Sequence, residues 1–194
     1  SHHAFFKESF IDEMAHAAKA DPVQFRRDLL AAHPRHLAVL NAAVGRAGKA
    51  TGGRAHGVAL HDCYGSIVAQ VAEVGVEDGR VRVHKVVCAI DCGIVVNPDI
   101  VRQQMESGIA FGLSAALHGE LKIANGRVRQ KNFNDAPILR IDEMPDVEVI
   151  IIDSEASPGG VGEPGTPPIA PAVANAVFKL TGKRLRSLPL RLQG

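Results

Sequence analysis

The sequence predicts an α+β fold, with mixed sheets and packed helices, from three observations. Apolar residues recur at helical spacing through residues 4–48. From Ala55 onward, apolar and polar residues instead alternate as they do in strands. Two turn dipeptides, Asp78-Gly79 and Asn125-Gly126, mark hairpins between such strands. Several helices combined with hairpins are typical of the α+β class.

The composition describes an ordinary globular chain. Its 194 residues, 46% of them hydrophobic, are enough for one domain or two small ones with a buried core. The formal charge of +1 favours neither nucleic acid nor a membrane surface as a partner, and no apolar run approaches the ~18 residues of a membrane span. The beginning, Ser1-His2-His3, has neither an initiator Met nor a signal peptide, so we expect a piece of a longer protein.

Three helices are predicted at the start of the chain. The first carries apolar residues four positions apart, which indicate one apolar stripe: Phe6, Phe10, Met14 and Ala18. Asp21-Pro22 supplies an N-cap residue and a proline at the first helical position, so a second helix should run to about Leu30. A third begins near Pro34 and ends around residues 45–48, before a basic, glycine-rich loop at residues 48–54.

The remaining elements follow in chain order. They are strands 58–60, 66–76 and 81–87, a helix from Asn97-Pro98 to about Leu117, strands 120–123 and 127–133, a strand 147–152, a helix ending at Leu180 and a strand 185–188. The helix from Asn97 should pack through Ile100, Val101, Met105, Gly108 and Ile109. We divide the chain into a helical segment, 1–50, and an α+β portion, 51–194.

One carboxylate, Glu163, lies in a loop made of glycine and proline at residues 159–168. Glycine permits left-handed backbone angles and proline fixes φ, so this loop holds the backbone in a particular shape around the acid. A glutamate that accepts a proton near neutral pH has to be rigidly placed and partly desolvated, because desolvation raises its pKa from about 4.3. The alternative is an ordinary solvated loop carboxylate.

The same loop formally matches the glycine fingerprint of dinucleotide-binding folds through Gly160, Gly162 and Gly165. A diphosphate needs backbone donors without a nearby negative charge, yet an acid and a proline stand between Gly162 and Gly165. The acidic residue expected about twenty positions later is also missing, because no Asp or Glu follows Glu163. The sequence therefore predicts no nicotinamide or flavin site.

A second cluster of turn residues follows a predicted strand at residues 91–98. Asp91 and Asn97 either satisfy local backbone groups at a strand-to-helix connection, or belong to a loop that faces a cofactor, with Gln104 as an amide donor in the next helix. Spacing alone leaves both interpretations open. The three cysteines, Cys63, Cys88 and Cys92, are predicted to be small buried hydrophobes. Cys88 and Cys92 are four positions apart, but no second Cys or His pair has zinc-site spacing, so no metal ligands are predicted.

Three separated motifs together resemble one protein family. The closing run, 160–189, resembles the end of the molybdopterin-binding large subunit of the xanthine dehydrogenase and aldehyde oxidase family, most of all in the branch that includes the isoquinoline 1-oxidoreductase beta subunit. Residues 91–98, with Gln104, Glu106 and Gly108, resemble that family's second cofactor-binding stretch, and residues 4–30 resemble its upstream helical segment. The motifs occur in the family's order.

The resemblance implies the carboxy-terminal part of a molybdenum hydroxylase large subunit. Glu163 matches the catalytic glutamate, which takes a proton during hydroxylation with water as the oxygen source. Gln104 matches a pterin-contacting position. The resemblance places the remaining predicted cofactor contacts in the two loops: Asp91, Gly93, Asn97, Gly160, Val161 and Gly162. Ser107 departs from the family pattern, which usually has a glycine there.

The resemblance also implies a cofactor and partners. The cofactor is a molybdenum-pterin, in the molybdopterin cytosine dinucleotide form, bound in the intact complex and absent from this chain alone. The partners are the amino-terminal remainder of the large subunit and a small subunit with two [2Fe-2S] clusters, and the substrate is an aldehyde or an N-heterocycle. We expect the isolated chain to be inactive. The rival interpretation is a non-catalytic binding or assembly module that keeps the fold, and the compartment, cytoplasmic or periplasmic, stays open.

Overall fold

A four-stranded mixed sheet forms the centre of the protein, in a computed structural model that describes residues 1–192. Its strands lie in the order β1 (Ala55–Cys63), β2 (Ser66–Glu77), β3 (Arg80–Asp91) and β6 (Asp146–Ile151). The first three are antiparallel neighbours, and β6 runs parallel to β3. A separate small hairpin pairs β4 (Ile123–Ala124) with β5 (Arg127–Val128).

Within residues 1–192, five α-helices complete the predicted α+β fold, which is confirmed. They are α1 (His2–Ala17), α2 (Pro22–Leu29), α3 (Pro34–Ala47), α4 (Pro98–Leu117) and α5 (Ile169–Thr181), with a 3-10 turn at Ile141–Glu143. The predicted caps are in place, since Asp21 accepts hydrogen bonds from two N–H groups of α2 and Asn97 does the same for α4. No helix within residues 1–192 is both long and apolar enough to cross a membrane.

The sheet is covered on both faces by helices. On one face, Val39, Leu40 and Ala43 of α3 pack against alternate residues of β1 and β2. On the other face, α4 and α5 pack against the residues in between, such as Val68 and Ala72. Side chains of a strand point alternately to opposite faces, so the near-continuous burial of β2 follows from its two covered faces.

The apolar stripe predicted for α1 does not form its packing face. Phe6 and Phe10 are 62% and 60% exposed, Met14 and Ala18 are exposed as well, and the helix buries its other side. That side combines apolar residues such as Phe5 with Glu8 and Asp12, which pair with the buried Arg26 and the partly buried Arg184, so ion pairing contributes to the rotation of the helix. The prediction for α4 is wrong in one residue, since Ile100 is half exposed while the other four are buried.

The edge of the sheet at β1 is covered by polar side chains from other elements. The Glu8 carboxylate accepts the N–H of Leu60 at 3.0 Å, and the Asn175 amide donates to the carbonyl of Val58 at 3.1 Å. Arg26 donates to the Glu8 carboxylate at 2.9 Å. These contacts leave less of the strand edge free to pair with another chain.

The strand predicted at residues 185–188 is absent, and this segment is irregular. Its flanking arginines, Arg184 and Arg186, donate to Asp12 and Glu13 of α1, both at 2.6 Å. The N–H of Leu190 then bonds the carbonyl of Ala116 at the end of α4. The segment therefore runs along helices, where no strand edge is available to pair with it.

Candidate functional site

Glu163 begins a β-turn that is fixed against α4. The N–H of Thr166 donates to the carbonyl of Glu163 at 2.9 Å, with Pro164 and Gly165 as the two central residues. The Thr166 hydroxyl donates to the carbonyl of Gly108 at 3.1 Å. A Cβ atom at Gly165 would lie 3.0 Å from the carbonyl oxygen of Met105, so glycine lets the turn approach the helix closely.

The segment before Glu163 is held by the turn between β1 and β2. The N–H of Gly160 donates to the carbonyl of Tyr64 at 2.8 Å, and the Ser66 hydroxyl donates to the carbonyl of Gly160 at 2.7 Å. A Cβ atom at Gly159 would lie 2.5 Å from Ser66 Oγ. Gly159 and Gly160 therefore serve close packing within the protein.

A cleft of about 570 Å³ opens beside Glu163. It is lined by Ser1, His3, His61, Cys63, Tyr64, Ser107, Gly108, Phe111, Gly162, Glu163, Thr166 and Pro167. A Cβ atom at Gly162 would meet no atom within 4 Å, so this part of the loop borders open space. The N–H groups of Val161, Gly162 and Glu163 have no acceptor within residues 1–192. The loop thus offers the carboxylate of Glu163 and the N–H groups of Gly162 and Glu163 at one wall of the cleft.

Tyr64, Cys63 and His61, which are among the other titratable groups of the cleft, have pKa values shifted in the direction that favours their neutral forms. Hydrogen bonding to the Glu163 carboxylate, and then its negative charge, raise the pKa of Tyr64. Burial raises the pKa of the Cys63 thiol, and burial together with the charge of Lys7 lowers the pKa of His61. No lysine or arginine among the described residues lines the cleft. The carboxylate of Glu163 is therefore not neutralised by a lysine or arginine partner.

The other predicted site residues lie in the connection between β3 and α4, or on α4. Asp91 accepts two hydrogen bonds from Arg35, at 2.7 and 2.8 Å, and one from the N–H of Gly93. Asn97 caps α4, and Gln104 is half buried on that helix. None of these four, nor Gly160 or Val161, lines the cleft with Glu163 within the described part of the chain. Their contact with a cofactor stays a prediction.

Replacing Asp91 by Asn is expected to destabilise the fold in a pH-dependent manner. Hydrogen bonding to Arg35 lowers the pKa of Asp91, so this carboxylate contributes stability above its unfolded pKa of about 3.9 and loses it as pH falls through the lower folded value. At pH 7 we expect a loss of about 1–2 kcal/mol, at the lower end for charged hydrogen bonds because the Arg35 side chain is 42% exposed.

Urea unfolding of both proteins from pH 7 down to pH 2 measures this effect. The difference between Asp91→Asn and the unaltered chain should shrink as the pH falls. Asp99→Asn is the control, because Asp99 pairs with Arg102 at the exposed start of α4. A difference that is the same at both ends of the pH range would show that the carboxylate charge does not matter.

The sequence did not single out Tyr64, His61 or Gln70 as residues around Glu163. Tyr64-Gly65 forms the two-residue connection of the β1–β2 hairpin, with φ of +54° and +79°. Recognising that short connection between two apolar runs would have predicted the hairpin, and its register places His61 opposite Val68. Nothing local in the sequence indicates that the hairpin reaches the Glu163 loop, about 95 residues later in the chain.

Comparisons of the sequence and of the fold with known proteins find the same group of relatives. The sequence profile of the family described as "Molybdopterin cofactor-binding domain" matches residues 11–145. The beta subunit of isoquinoline 1-oxidoreductase from Brevundimonas diminuta is 39% identical over 96% of this chain and 25% of its own length. A membrane-bound aldehyde dehydrogenase of Gluconacetobacter polyoxogenes is 34% identical over 95% of this chain and 27% of its own length.

Solved structures show the same fold. The aldehyde oxidoreductase of Desulfovibrio desulfuricans is 30% identical with a TM-score of 0.54, over 64% of this chain and 14% of that one. Quinoline 2-oxidoreductase of Pseudomonas putida superposes with a TM-score of 0.59 at 22% identity, over 64% of this chain and 17% of that one. The chain spans between 18% and 27% of the length of its most similar curated relatives.

Proposed function

The chain belongs to the molybdopterin cofactor-binding family, and we propose that it forms one wall of the molybdenum-pterin site of a hydroxylase, with Glu163 as the proton acceptor. The observation that carries this proposal is the turn at Glu163, which is fixed to α4 and presents an exposed carboxylate to a cleft. A general base has to be placed within reach of the proton that it removes, and a rigid turn provides that placement. The partial desolvation expected from the sequence is not seen within this chain, where Glu163 is exposed.

The residues around the cleft fit one side of such a cofactor. The N–H groups of Gly162 and Glu163, which have no acceptor within residues 1–192, are suited to the oxygen-rich groups of a pterin cofactor, and Gly162 leaves room for them. Ser107 of α4 adds a hydroxyl to the lining of the cleft. Within residues 1–192, no group of three or more His, Cys, Asp or Glu side chains is arranged to hold a metal ion.

When bound, the cofactor supplies a redox centre that takes up the electrons of the oxidised substrate carbon. Glu163 accepts the proton that the water-derived oxygen gives up, and the neutral His61 and Cys63 add no competing charge. We propose an aldehyde or an N-heterocycle as the substrate, a choice supported by the names of the relatives, which include an isoquinoline oxidoreductase and an aldehyde dehydrogenase. We also propose the cytosine dinucleotide form of the cofactor.

The proposed partners are the amino-terminal remainder of the large subunit and a small subunit with two [2Fe-2S] clusters. This chain spans 25% and 27% of the length of two relatives, which supports the proposal that residues outside it supply further contacts to the cofactor. Co-expression with the missing part of a related large subunit and its small subunit tests the proposal. Stoichiometric molybdenum and oxidation of aldehydes or N-heterocycles are the expected results. A stable complex without molybdenum or turnover would favour an assembly module instead.

The isolated chain is expected to be inactive and to contain no stoichiometric molybdenum. A single wall binds a large cofactor weakly, because the missing contacts also preorganise those that are present. Metal analysis of the purified 194-residue chain measures this directly. About one molybdenum per chain would contradict the prediction and would show that this segment alone is sufficient for binding.

A further inference from the structure

Gln70 is a fully buried polar residue directly beneath the Glu163 turn. It lies in the middle of β2 with 0% of its surface exposed, on the face that packs against α4 and α5. Its Nε2 donates to the carbonyl of Gly165 at 2.8 Å. The same Nε2 atom also lies 3.9 Å from Cys88 Sγ, which is a weak hydrogen-bond acceptor. The strong contact of this amide is therefore with the turn.

Packing alone does not explain an amide at this position. The Oε1 atom of Gln70 has no hydrogen-bond partner within residues 1–192, and a buried acceptor without a partner is destabilising. A leucine or methionine would fill a similar volume without that cost. Gln70 therefore makes the core less stable than an apolar residue of similar volume would, but it donates one hydrogen bond to Gly165.

The other contacts that hold the turn come from α4. The Thr166 hydroxyl donates to the carbonyl of Gly108, and Gly165 rests on the backbone of Met105. In the described part of the chain, Gln70 is the only side chain of the sheet that donates to residues 163–166. The turn is therefore fixed from two sides, and loss of Gln70 removes the hydrogen bond that the buried face of the sheet donates to it.

We propose that Gln70 is a positioning residue that fixes the Glu163 carboxylate in the cleft by holding the carbonyl of Gly165. Gly165 lies two residues after Glu163, in the same hydrogen-bonded turn. Without the bond, the peptide between Gly165 and Thr166 can rotate, and the turn that orients Glu163 loosens. The importance of this placement rests on the proposed function, whereas the contact itself does not.

The test compares Gln70→Leu with Val86→Ala in the 194-residue chain. Gln70→Leu removes the donor and keeps the bulk, while Val86→Ala disturbs the same core without removing a hydrogen bond to the turn. Hydrogen exchange of the Thr166 amide reports the opening of the turn. Its rate is compared with the rates of core-strand amides that exchange by global unfolding, so that a general loss of stability is not taken for local opening. We expect exchange about fivefold to tenfold faster in Gln70→Leu and unchanged in Val86→Ala.

A second readout reports the Glu163 carboxylate itself. Tyr64 is the only tyrosine, and the chain has no tryptophan, so ultraviolet absorbance follows the Tyr64 phenol alone. The titration midpoint of the Tyr64 phenol should be lower in Gln70→Leu than in the unaltered chain, because a displaced Glu163 carboxylate no longer raises the pKa of Tyr64. The shift should have the same direction as in Glu163→Gln and at least half its size. Cys63, His3 and His61, which share the cleft, are unchanged in every variant.

The outcomes separate the proposal from its alternatives. If Glu163→Gln leaves Tyr64 unaffected, the carbon-13 resonance of the Glu163 carboxyl, assigned by its loss in that variant, replaces the phenol as the readout. If Gln70→Leu behaves as Val86→Ala does, or if only Thr166 exchange changes, Gln70 does not position the carboxylate and the inference is wrong. None of these measurements involves molybdenum, so failure of the proposed function would not affect them.

Discussion

Replacing Glu163 by Gln is expected to lower the turnover of the assembled enzyme by ~10²–10⁴-fold. An amide has nearly the size of a carboxylate but cannot take up the proton at neutral pH. The fold should be unaffected, because Glu163 and the neighbouring Tyr64 are both exposed at the cleft. The turn at Glu163 is built from backbone groups and from Thr166, which the substitution leaves in place.

The measurement is kcat per bound molybdenum, in the assembled complex and over a range of pH. Expressing the rate per metal separates a lost proton acceptor from a failure to load the cofactor. Glu155→Gln is a matched control, since it removes the same charge from an exposed position in the same connecting segment. A Glu163→Gln enzyme within tenfold of the unaltered rate would rule out Glu163 as the general base.

Much of the fold could be predicted because its signals are local. Asp21-Pro22 and Asn97-Pro98 open helices, and Asp78-Gly79 connects two strands, as their backbone preferences indicate. The rotation of α1 could not be predicted, because it depends on pairing across distance. Arg184 contacts Asp12 from 172 positions away, and no periodicity of α1 itself encodes that contact.

The candidate site likewise contains residues that local sequence signals predicted and residues that they did not. Glu163 was recognisable because a glycine-proline loop around one acid is unusual, and Pro164-Gly165 suits the centre of a β-turn. Tyr64 and Gln70 were not recognisable, since they reach Glu163 only through the register of β1 and β2 and the packing of α4. Nor did the sequence show that Gly159 and Gly160 would pack against Ser66 and Tyr64.

Replacing Arg26 by Met is expected to cost roughly 3–5 kcal/mol of unfolding free energy, the largest stability effect that we predict. Arg26 is 2% exposed and donates to the Glu8 carboxylate, to the Glu8 carbonyl and to the Pro22 carbonyl, at 2.9–3.0 Å. Asp12 lies 3.8 Å away and is also buried. Without the guanidinium, Glu8 is left as a charge without a cation in the interior, which is the origin of the cost.

Thermal and urea unfolding measure the loss, which for a chain of this size corresponds to a fall in Tm of about 6–20 °C. Arg186→Met is the control, because Arg186 pairs with Glu13 at the surface and its side chain is 66% exposed, so it should cost no more than about 1 kcal/mol.

Adding Glu8→Leu to Arg26→Met should restore part of the stability, since it removes the unpaired charge. The restoration should be incomplete because the Leu60 N–H at the edge of β1 then loses its acceptor. If Arg26→Met cost no more than Arg186→Met, buried pairing could not be what fixes α1 against the sheet, and the exposed stripe of Phe6 and Phe10 would need another explanation.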